Sequence, residues 1–449
     1  MAARVVIVGG GFAGLNAARA LGGRKDVEVT LIDRRNHHLF QPLLYQVATA
    51  GLSPADIAAP IRNILSRYQN VRVLLGEVQS VDFESKSLRT DIGPLDYDFL
   101  LLACGARHSY FGNDAWEQDA PGLKTIEHAT EIRRRILTSY EIAERCEDTE
   151  LQRKHLTFVV VGGGPTGVEM AGAIGEMSRY TLARDFRNIN AKATRIFLME
   201  GGPRILAAFP EELSDRAARD LENLGVQIWT SSFVTGVDDE GVTIGDERIQ
   251  AATVIWAAGV QGSSLGKRIN VPLDSSGRIK VEPDLSVAGC PDVFVAGDQA
   301  HFEDDSGQPL PGLAPVALQQ GRHFARNVKL MLAGKESEPF KYRDKGIMAT
   351  IGRNKAVMKS GNWQMGGWFA WMAWLVVHIY FLTGFRNRFF VVLSWAWSYL
   401  TYRRGARLIV GEEGELDEVH SANEQVDGRT PEQSLPDSAN EDSSTAAIP

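Results

Sequence analysis

The stretch ARVVIVGGGFAGLNAARAL, residues 3–21, decides the fold. It opens with a β-branched apolar run of strand length, passes through a glycine loop and closes in an alanine-rich helical segment. Strand, glycine loop and helix in that order begin a βαβ unit, which implies a parallel sheet. Gly9, Gly11 and Gly14 fall on the pattern GxGxxG. The first glycine permits a tight turn, the second lets backbone N–H groups approach a pyrophosphate, and the third allows close packing of helix on strand. The helix N-terminus adds a favourable field for the anion. Asp33 closes the next strand, VEVTLID, 24 residues after Gly9. A carboxylate there accepts hydrogen bonds from ribose hydroxyls.

The pattern returns further along. LTFVVVGGGPTGVEMAGAI places Gly162, Gly164 and Gly167 on the same spacing, and Glu200 closes the following strand, TRIFLME. Third segments also match: YDFLLLACGAR in the first copy and ATVIWAAGV in the second. Gly9 and Gly162 lie 153 residues apart, and Ala103 and Ala257 lie 154 apart. The chain reads as two similar nucleotide-binding units. Two complete fingerprints suit a flavoprotein that also uses a nicotinamide cofactor. Asp298 stands in a glycine–aspartate pair after the late apolar strand CPDVFVAGDQA. A carboxylate there suits the ribityl chain of FAD, so FAD is expected at the first site and NADH at the second. Glu200 would repel a 2′-phosphate and so favours NADH over NADPH, although Arg204 lies nearby.

Composition narrows the class. The chain has 449 residues, of which 44% are hydrophobic and 23% charged, as in globular proteins. Its three cysteines, Cys104, Cys146 and Cys290, form no CxxC. Neither a zinc knuckle nor a vicinal redox pair is written here, and a reduced, cytoplasmic protein is expected. The nine histidines show no metal-ligand spacing such as HExxH, so no metal is expected. His37 and His38 border the segment FQPLLYQ, without an assigned role.

The net charge of -8 hides an asymmetry. From Glu412 onward there are 11 acidic residues and one basic residue, Arg429, in a Ser- and Pro-containing tail that reads as disordered. Residues 345–411 carry nine Lys/Arg and no Asp or Glu, and six of the nine tryptophans fall between Trp363 and Trp397. Cationic, Trp-rich and apolar together is an interfacial composition. It disfavours nucleic acid as a partner, because the arginines flank greasy runs instead of forming a basic face. The runs Trp368–Thr383 and Phe389–Leu400 hold 16 and 12 residues, short of the roughly 20 that span a bilayer. Two amphipathic helices lying on an anionic lipid surface are therefore expected, with Arg386, Arg388, Arg403, Arg404 and Arg407 on the headgroups. Such a region could equally serve a homodimer.

With these motifs in hand, the chain resembles the type II NADH dehydrogenases, the single-subunit NADH:quinone oxidoreductases that do not pump protons. The resemblance rests on GGGFAG, HHLFQPLLYQVATAGLSP, GGGPTGVE, WAAGV, VAGDQA, LPGLAPVALQQG and the terminal FRNRFF and WAWSYLTYRRGAR, and covers nearly all of residues 3–411. It implies non-covalent FAD, NADH as donor and a membrane quinone as acceptor, at the cytoplasmic face of the cell inner membrane. It also implies two Rossmann-like domains arranged as in glutathione reductase, plus a membrane-associating C-terminal region. Many members carry AQxxxQ at the quinone pocket. Here Ala314 and Gln319 match, but Pro315 replaces the first Gln. A proline suits a helix start. Gln319 and Gln320 become candidates at that pocket, and Glu169, just inside the helix after the second glycine loop, a candidate for a role near the flavin and nicotinamide or for proton delivery to quinone.

The expected layout is an FAD-binding domain in two parts, 1–115 and 266–338, around an NADH-binding domain, 116–265. A C-terminal membrane-anchoring region, 339–411, and the acidic tail, 412–449, follow. Two rivals remain at this stage. A sulfide:quinone oxidoreductase-like enzyme needs paired cysteines near the flavin, which the three cysteines do not provide. A membrane-tethered NADH-sensing flavoprotein would signal without rapid turnover.

Overall fold

The N-terminal apolar run becomes strand β1 (Ala3–Val8), buried on both faces. Val5 and Ile7 enter one core and Val6 and Val8 the other, so each of these four positions must be apolar. In this computed structural model, residues 2–382, 388–393, 395–396 and 406–410 are described. Helix α1 (Phe12–Leu21), strand β2 (Val27–Asp33), a short helix α2 (Leu44–Ala48) and strands β3 (Val71–Leu75) and β4 (Phe99–Leu102) follow. They build a six-stranded sheet in the order Ser286–Val287, Cys290–Val295, β4, β1, β2, β3, parallel except for its first pair.

The second unit repeats this plan. Strand β5 (Thr157–Val161), helix α3 (Pro165–Glu176) and strands β6 (Arg195–Met199), β7 (Val226–Trp229) and β8 (Thr253–Trp256) form a parallel sheet ordered β7, β6, β5, β8. Third, second, first, fourth is the order in both sheets. β5 shows the same double burial, with Phe158 and Val160 in one core and Val159 and Val161 in another. The chain crosses between the units on a two-stranded ribbon, where Ala106–His108 pairs antiparallel with Val260–Gly262. It then returns to the first sheet and ends that unit with helix α4 (Ala314–Leu332), whose first turn holds Pro315.

Beyond residue 340 the chain forms an antiparallel sheet, β9 (Ile347–Gly352), β10 (Lys355–Ser360) and β11 (Trp363–Gly366), and then helix α5 (Trp368–Phe381). This region shares one core with the second unit: Ala349, Ile351, Val357 and Trp374 pack with Phe158, Met170 and Leu198. Gly172 marks the closest approach of α3 to the sheet. A Cβ there would lie 2.2 Å from the Ile351 carbonyl oxygen.

Helix α5 differs from the amphipathic form expected of it. Ala370, Trp374 and His378, spaced by four, face inward and are buried. Trp368, Phe369, Val376, Tyr380 and Phe381 face outward and are exposed. Burial pushes His378 down to about 4, so it sits neutral on the inner face, stacked on Trp374 at 4.3 Å. One apolar face is thus used by the fold and another is left open. No helix among the described residues is long and apolar enough to cross a membrane. Two of the arginines expected at the headgroups have internal partners. Arg388 donates to the carbonyls of Leu382 and Tyr380 at 2.8 Å each, and Arg407 pairs with Asp185. Arg386, Arg403, Arg404, residues 394 and 397–400 of the second apolar run and the acidic tail lie outside the described residues.

Candidate functional site

The first glycine loop caps a cleft of about 500 Å³ that also takes in Asp33, Cys104, Lys124 and Asp298. Gly9 has φ +105°, and a Cβ on it would sit 2.3 Å from the Ala103 carbonyl oxygen. Only glycine fits a left-handed turn pressed against the neighbouring strand. A Cβ on Gly14 would collide with the Gly9 carbonyl oxygen at 1.9 Å, so the third glycine is where helix meets loop. Gly11 is the opposite case: a Cβ there meets nothing within 4 Å. The space before it is a cradle at a helix N-terminus, fitted to a pyrophosphate. Asp33 braces the loop, accepting from the Gly10 amide at 2.5 Å and from the Arg35 amide at 2.7 Å.

The second loop reproduces each contact. Gly162 has φ +109° and lies against the backbone of Ala257 and Ala258, and a Cβ on Gly167 would stand 1.8 Å from the Gly162 carbonyl oxygen. A Cβ on Gly164 meets nothing within 4 Å. Glu200 accepts from the Gly163 amide at 2.7 Å and the Gly202 amide at 2.6 Å. Arg204, the residue that weakened the NADH preference, donates to the carbonyls of Phe209 and Ala207 at 2.8 and 2.9 Å. Its guanidinium is thereby engaged within its own loop.

Asp298 enters the first cleft, with Lys124 Nζ 3.9 Å away. Gln320, fully buried on α4, accepts from the Gly297 amide at 2.7 Å through Oε1. It therefore positions the glycine–aspartate turn. Gln319 points elsewhere. Its amide donates to the Arg343 carbonyl and accepts from the Arg343 amide, both at 3.0 Å, tying α4 to the segment that leads into β9. Neighbours in sequence thus hold different things, because successive helical residues point about 100° apart.

Glu169 lies on α3, facing a cavity of about 110 Å³ between the second unit and the C-terminal region. Its walls include Gln46, Thr350, Arg353, Trp371, Trp374 and Trp395. A volume of this size has room for a few waters. Away from the cavity mouth the carboxyl is enclosed by protein. Burial pushes it up to about 8, and the Thr350 amide, 3.5 Å away, offsets little of that. At neutral pH Glu169 therefore carries a proton. Two turns further along α3, Glu176 is ionically paired with Arg353 at 3.7 Å.

Sequence reasoning missed the aromatic path that joins these places. Phe12 of the first glycine loop meets His38 and Phe40 edge-on, Phe40 meets His378, and His378 stacks on Trp374, which neighbours Trp395. His38 Nδ1 faces the Gly10 carbonyl at 2.9 Å, so that nitrogen is the donor. Burial pushes His38 down to about 4 and keeps the ring neutral. Trp395 donates to the Gln46 side chain at 2.7 Å. The clustering of tryptophans and the FQPLLYQ segment were the available signals, but their pairing was not. The three cysteines are free, and burial pushes the Cys104 thiol up to about 12. Among the described residues no group of three His, Cys, Asp or Glu could hold a metal ion.

Comparisons with known proteins agree with this geometry. A family model described as pyridine nucleotide-disulphide oxidoreductase matches residues 3–321. The chain is 45% identical over 426 residues to the type II NADH:quinone oxidoreductase Ndh of Mycobacterium tuberculosis, covering 91% of each. It is 30% identical over 440 residues to the mitochondrial internal alternative NAD(P)H-ubiquinone oxidoreductase A1 of Arabidopsis thaliana, covering 90% of this chain and 86% of that one. Among solved structures, NDH2 from Plasmodium falciparum in complex with NADH matches with a TM-score of 0.84 at 21% identity, covering 92% of this chain and 100% of that one. At that identity the likeness concerns the fold.

Proposed function

This chain belongs to the type II NADH:quinone oxidoreductases of the pyridine nucleotide-disulphide oxidoreductase family, and we propose that it oxidises NADH with FAD held non-covalently in its first cradle. Its reaction is NADH:quinone oxidoreduction without proton pumping. The observation that carries the assignment of the two cradles is the glycine–aspartate turn. Asp298 opens into the first cleft, beside Gly11 and Asp33. FAD, when bound, supplies the two-electron exchange between donor and acceptor.

The chain's own residues do the rest. Gly9, Gly11 and Gly14 shape the first pyrophosphate cradle, Asp33 takes a ribose, and Asp298 takes the ribityl hydroxyls. Gly162, Gly164 and Gly167 shape the second cradle for NADH. Glu200 accepts from the ribose hydroxyls of NADH and repels a phosphate at the same place. Gln320 acts as a positioning residue through the Gly297 amide. Glu169 holds a proton on its carboxyl beside a cavity with room for water, and is placed to release it toward the quinone. The quinone is a membrane quinone. It approaches from the side of α5, whose outward Trp368, Phe369 and Tyr380 sit in the interface of the cytoplasmic leaflet.

The test is steady-state NADH oxidation by the purified, FAD-loaded protein with and without a quinone. Rapid turnover that requires the quinone is the expected result. Rapid NADH oxidation that ignores the quinone would overturn the quinone as acceptor, and turnover too slow for respiration would replace the enzyme reading with the sensing one.

A further inference from the structure

The internal repeat extends beyond the glycine loops, to the ends of the third strands. After β3 the chain runs Gly76, Glu77 and then the strand VQSVD (Val78–Asp82). After β7 it runs Thr230, Ser231, Ser232, Phe233 and then the strand VTGVD (Val234–Asp238). Each of these later strands opens a three-stranded antiparallel sheet. The backbone fixes the alignment. The Gly76 amide donates to the Asp33 carbonyl at 2.9 Å, and the Ser232 amide donates to the Glu200 carbonyl at 3.0 Å. Glu77 and Phe233 are therefore equivalent positions, as are Arg34 and Gly201.

The same two positions meet in both units, by different chemistry. In the first unit Arg34 and Glu77 are an ion pair at 3.7 Å, and both line the cleft. In the second unit the Phe233 ring lies over Gly201, and a Cβ on Gly201 would come within 2.7 Å of it. The ring is otherwise 70% exposed. A single exposed apolar side chain is ordinary, but the turn that carries this one is held. The Ser231 amide donates to the Gly202 carbonyl at 2.8 Å, and Gly202 in turn donates to Glu200. An open aromatic face is thus fixed beside the carboxylate that takes the ribose, on the side of the next strand.

We propose that Phe233 is a binding residue of the NADH site and that its exposed face stacks on the adenine. This inference rests on the assignment of NADH to the second cradle. A nucleotide whose ribose is held by Glu200 extends its base outward past the ends of β6 and β7, where the ring waits. Gly201 is bare because any side chain there would displace the ring.

The test compares ligands that contain adenine with one that lacks it. Phe233→Ala should weaken binding of NADH and of ADP-ribose about five- to tenfold, the low end for one aromatic face on one base. Phe233→Trp should restore most of it. Turnover with reduced nicotinamide mononucleotide, which has no adenine, should be the same in wild type and Phe233→Ala. Gly201→Val, which pushes the ring aside, should copy the loss for ADP-ribose. Unchanged ADP-ribose affinity in Phe233→Ala, or an equal loss with reduced nicotinamide mononucleotide, would overturn the proposal. ADP-ribose affinity is read by calorimetry on the FAD-loaded protein. A wild type that binds ADP-ribose but does not reduce quinone would count against the enzyme reading and leave the adenine contact standing.

Discussion

Replacing Glu169 by Gln keeps shape and removes a charge that the fold disfavours. Burial lifts the carboxyl from its ordinary 4.5 to about 8. At about 1.36 kcal/mol for each pH unit, that gap is worth roughly 5 kcal/mol. The sign follows from which state loses its proton first. Below about pH 4.5 the folded and unfolded chains both hold the proton, and the group costs nothing. As pH rises from 4.5 to 8 the unfolded chain gives it up while the folded chain keeps it, so stability falls. Above 8 the loss is complete. Glu169→Gln should therefore match wild type near pH 5 and exceed it in stability by a margin that grows to a few kcal/mol at pH 8–9. With an unfolding entropy of about 2.1 cal/mol/K per residue over roughly 400 ordered residues, the margin in Tm is on the order of 6 °C. Scanning both proteins across pH with excess FAD cancels every other titrating group in the difference. The same variant should be slower in stopped-flow reoxidation by quinone, with flavin reduction by NADH near normal, and wild-type reoxidation should decline above about pH 8. A Tm difference that stays flat from pH 5 to 9 would refute a buried neutral carboxyl, and with it the proton-donor role.

Glu200→Gln should narrow the preference for NADH over NADPH by tenfold or more, about 1.4 kcal/mol, as read from the ratio of kcat/KM values; an unchanged ratio would mean that Glu200 only braces Gly163 and Gly202. Gln319→Ala removes two hydrogen bonds to Arg343 and should cost about 1 kcal/mol of stability. Stopped-flow quinone reduction at matched FAD content decides whether this residue also serves the acceptor, and a tenfold slowing there would return it to the quinone pocket. Substituting Cys104, Cys146 and Cys290 together by Ala or Ser should leave turnover within a few-fold, since Cys104 alone of the three lines the first cleft and its thiol, pushed up to about 12, gives no thiolate at neutral pH; loss of turnover in a fully FAD-loaded variant would revive thiol chemistry. Trp368→Ser with Phe369→Ser should weaken sedimentation with anionic vesicles while Tm holds, because both rings face outward. Equal binding by that double variant would move the membrane contact away from α5.

The features legible in the sequence are those written within about forty consecutive residues. Gly9, Gly11, Gly14 and Asp33 sit on one strand–loop–helix–strand passage, so their spacing alone sets their geometry, and the copy at Gly162 to Glu200 doubled the signal. The apolar pattern of β1 and β5 was equally local. Gln319 and Gln320 were less legible, because a motif match assigns a residue to a pocket but not the direction of its side chain on a helix. One faces the Gly297 turn and the other Arg343. The C-terminal stretch was misread in one respect for a related reason. Its composition says that it is apolar, but it does not say how many apolar faces the fold consumes.

The cavity at Glu169 was out of reach altogether. Gln46 comes from α2, Glu169 from α3, Thr350 and Arg353 from the β9–β10 hairpin, and Trp371 and Trp374 from α5. No periodicity links segments so far apart in the chain; only packing does. This also explains why a carboxyl placed early in α3, where a helix N-terminus would ordinarily favour its charge, ends up neutral. The dipole effect is worth about 0.3–1 kcal/mol at an exposed site, whereas burying a carboxylate without a close cation costs several kcal/mol. Once β9 and α5 close over the helix, desolvation outweighs the dipole. The proton that Glu169 holds is thus a consequence of the C-terminal region folding onto the second unit. Any change that loosens that region, such as a bulky residue at Gly172 against the Ile351 carbonyl, should let water in and return the carboxyl toward its ordinary range. A Gly172→Val variant whose quinone half-reaction loses its decline above pH 8 would carry that signature.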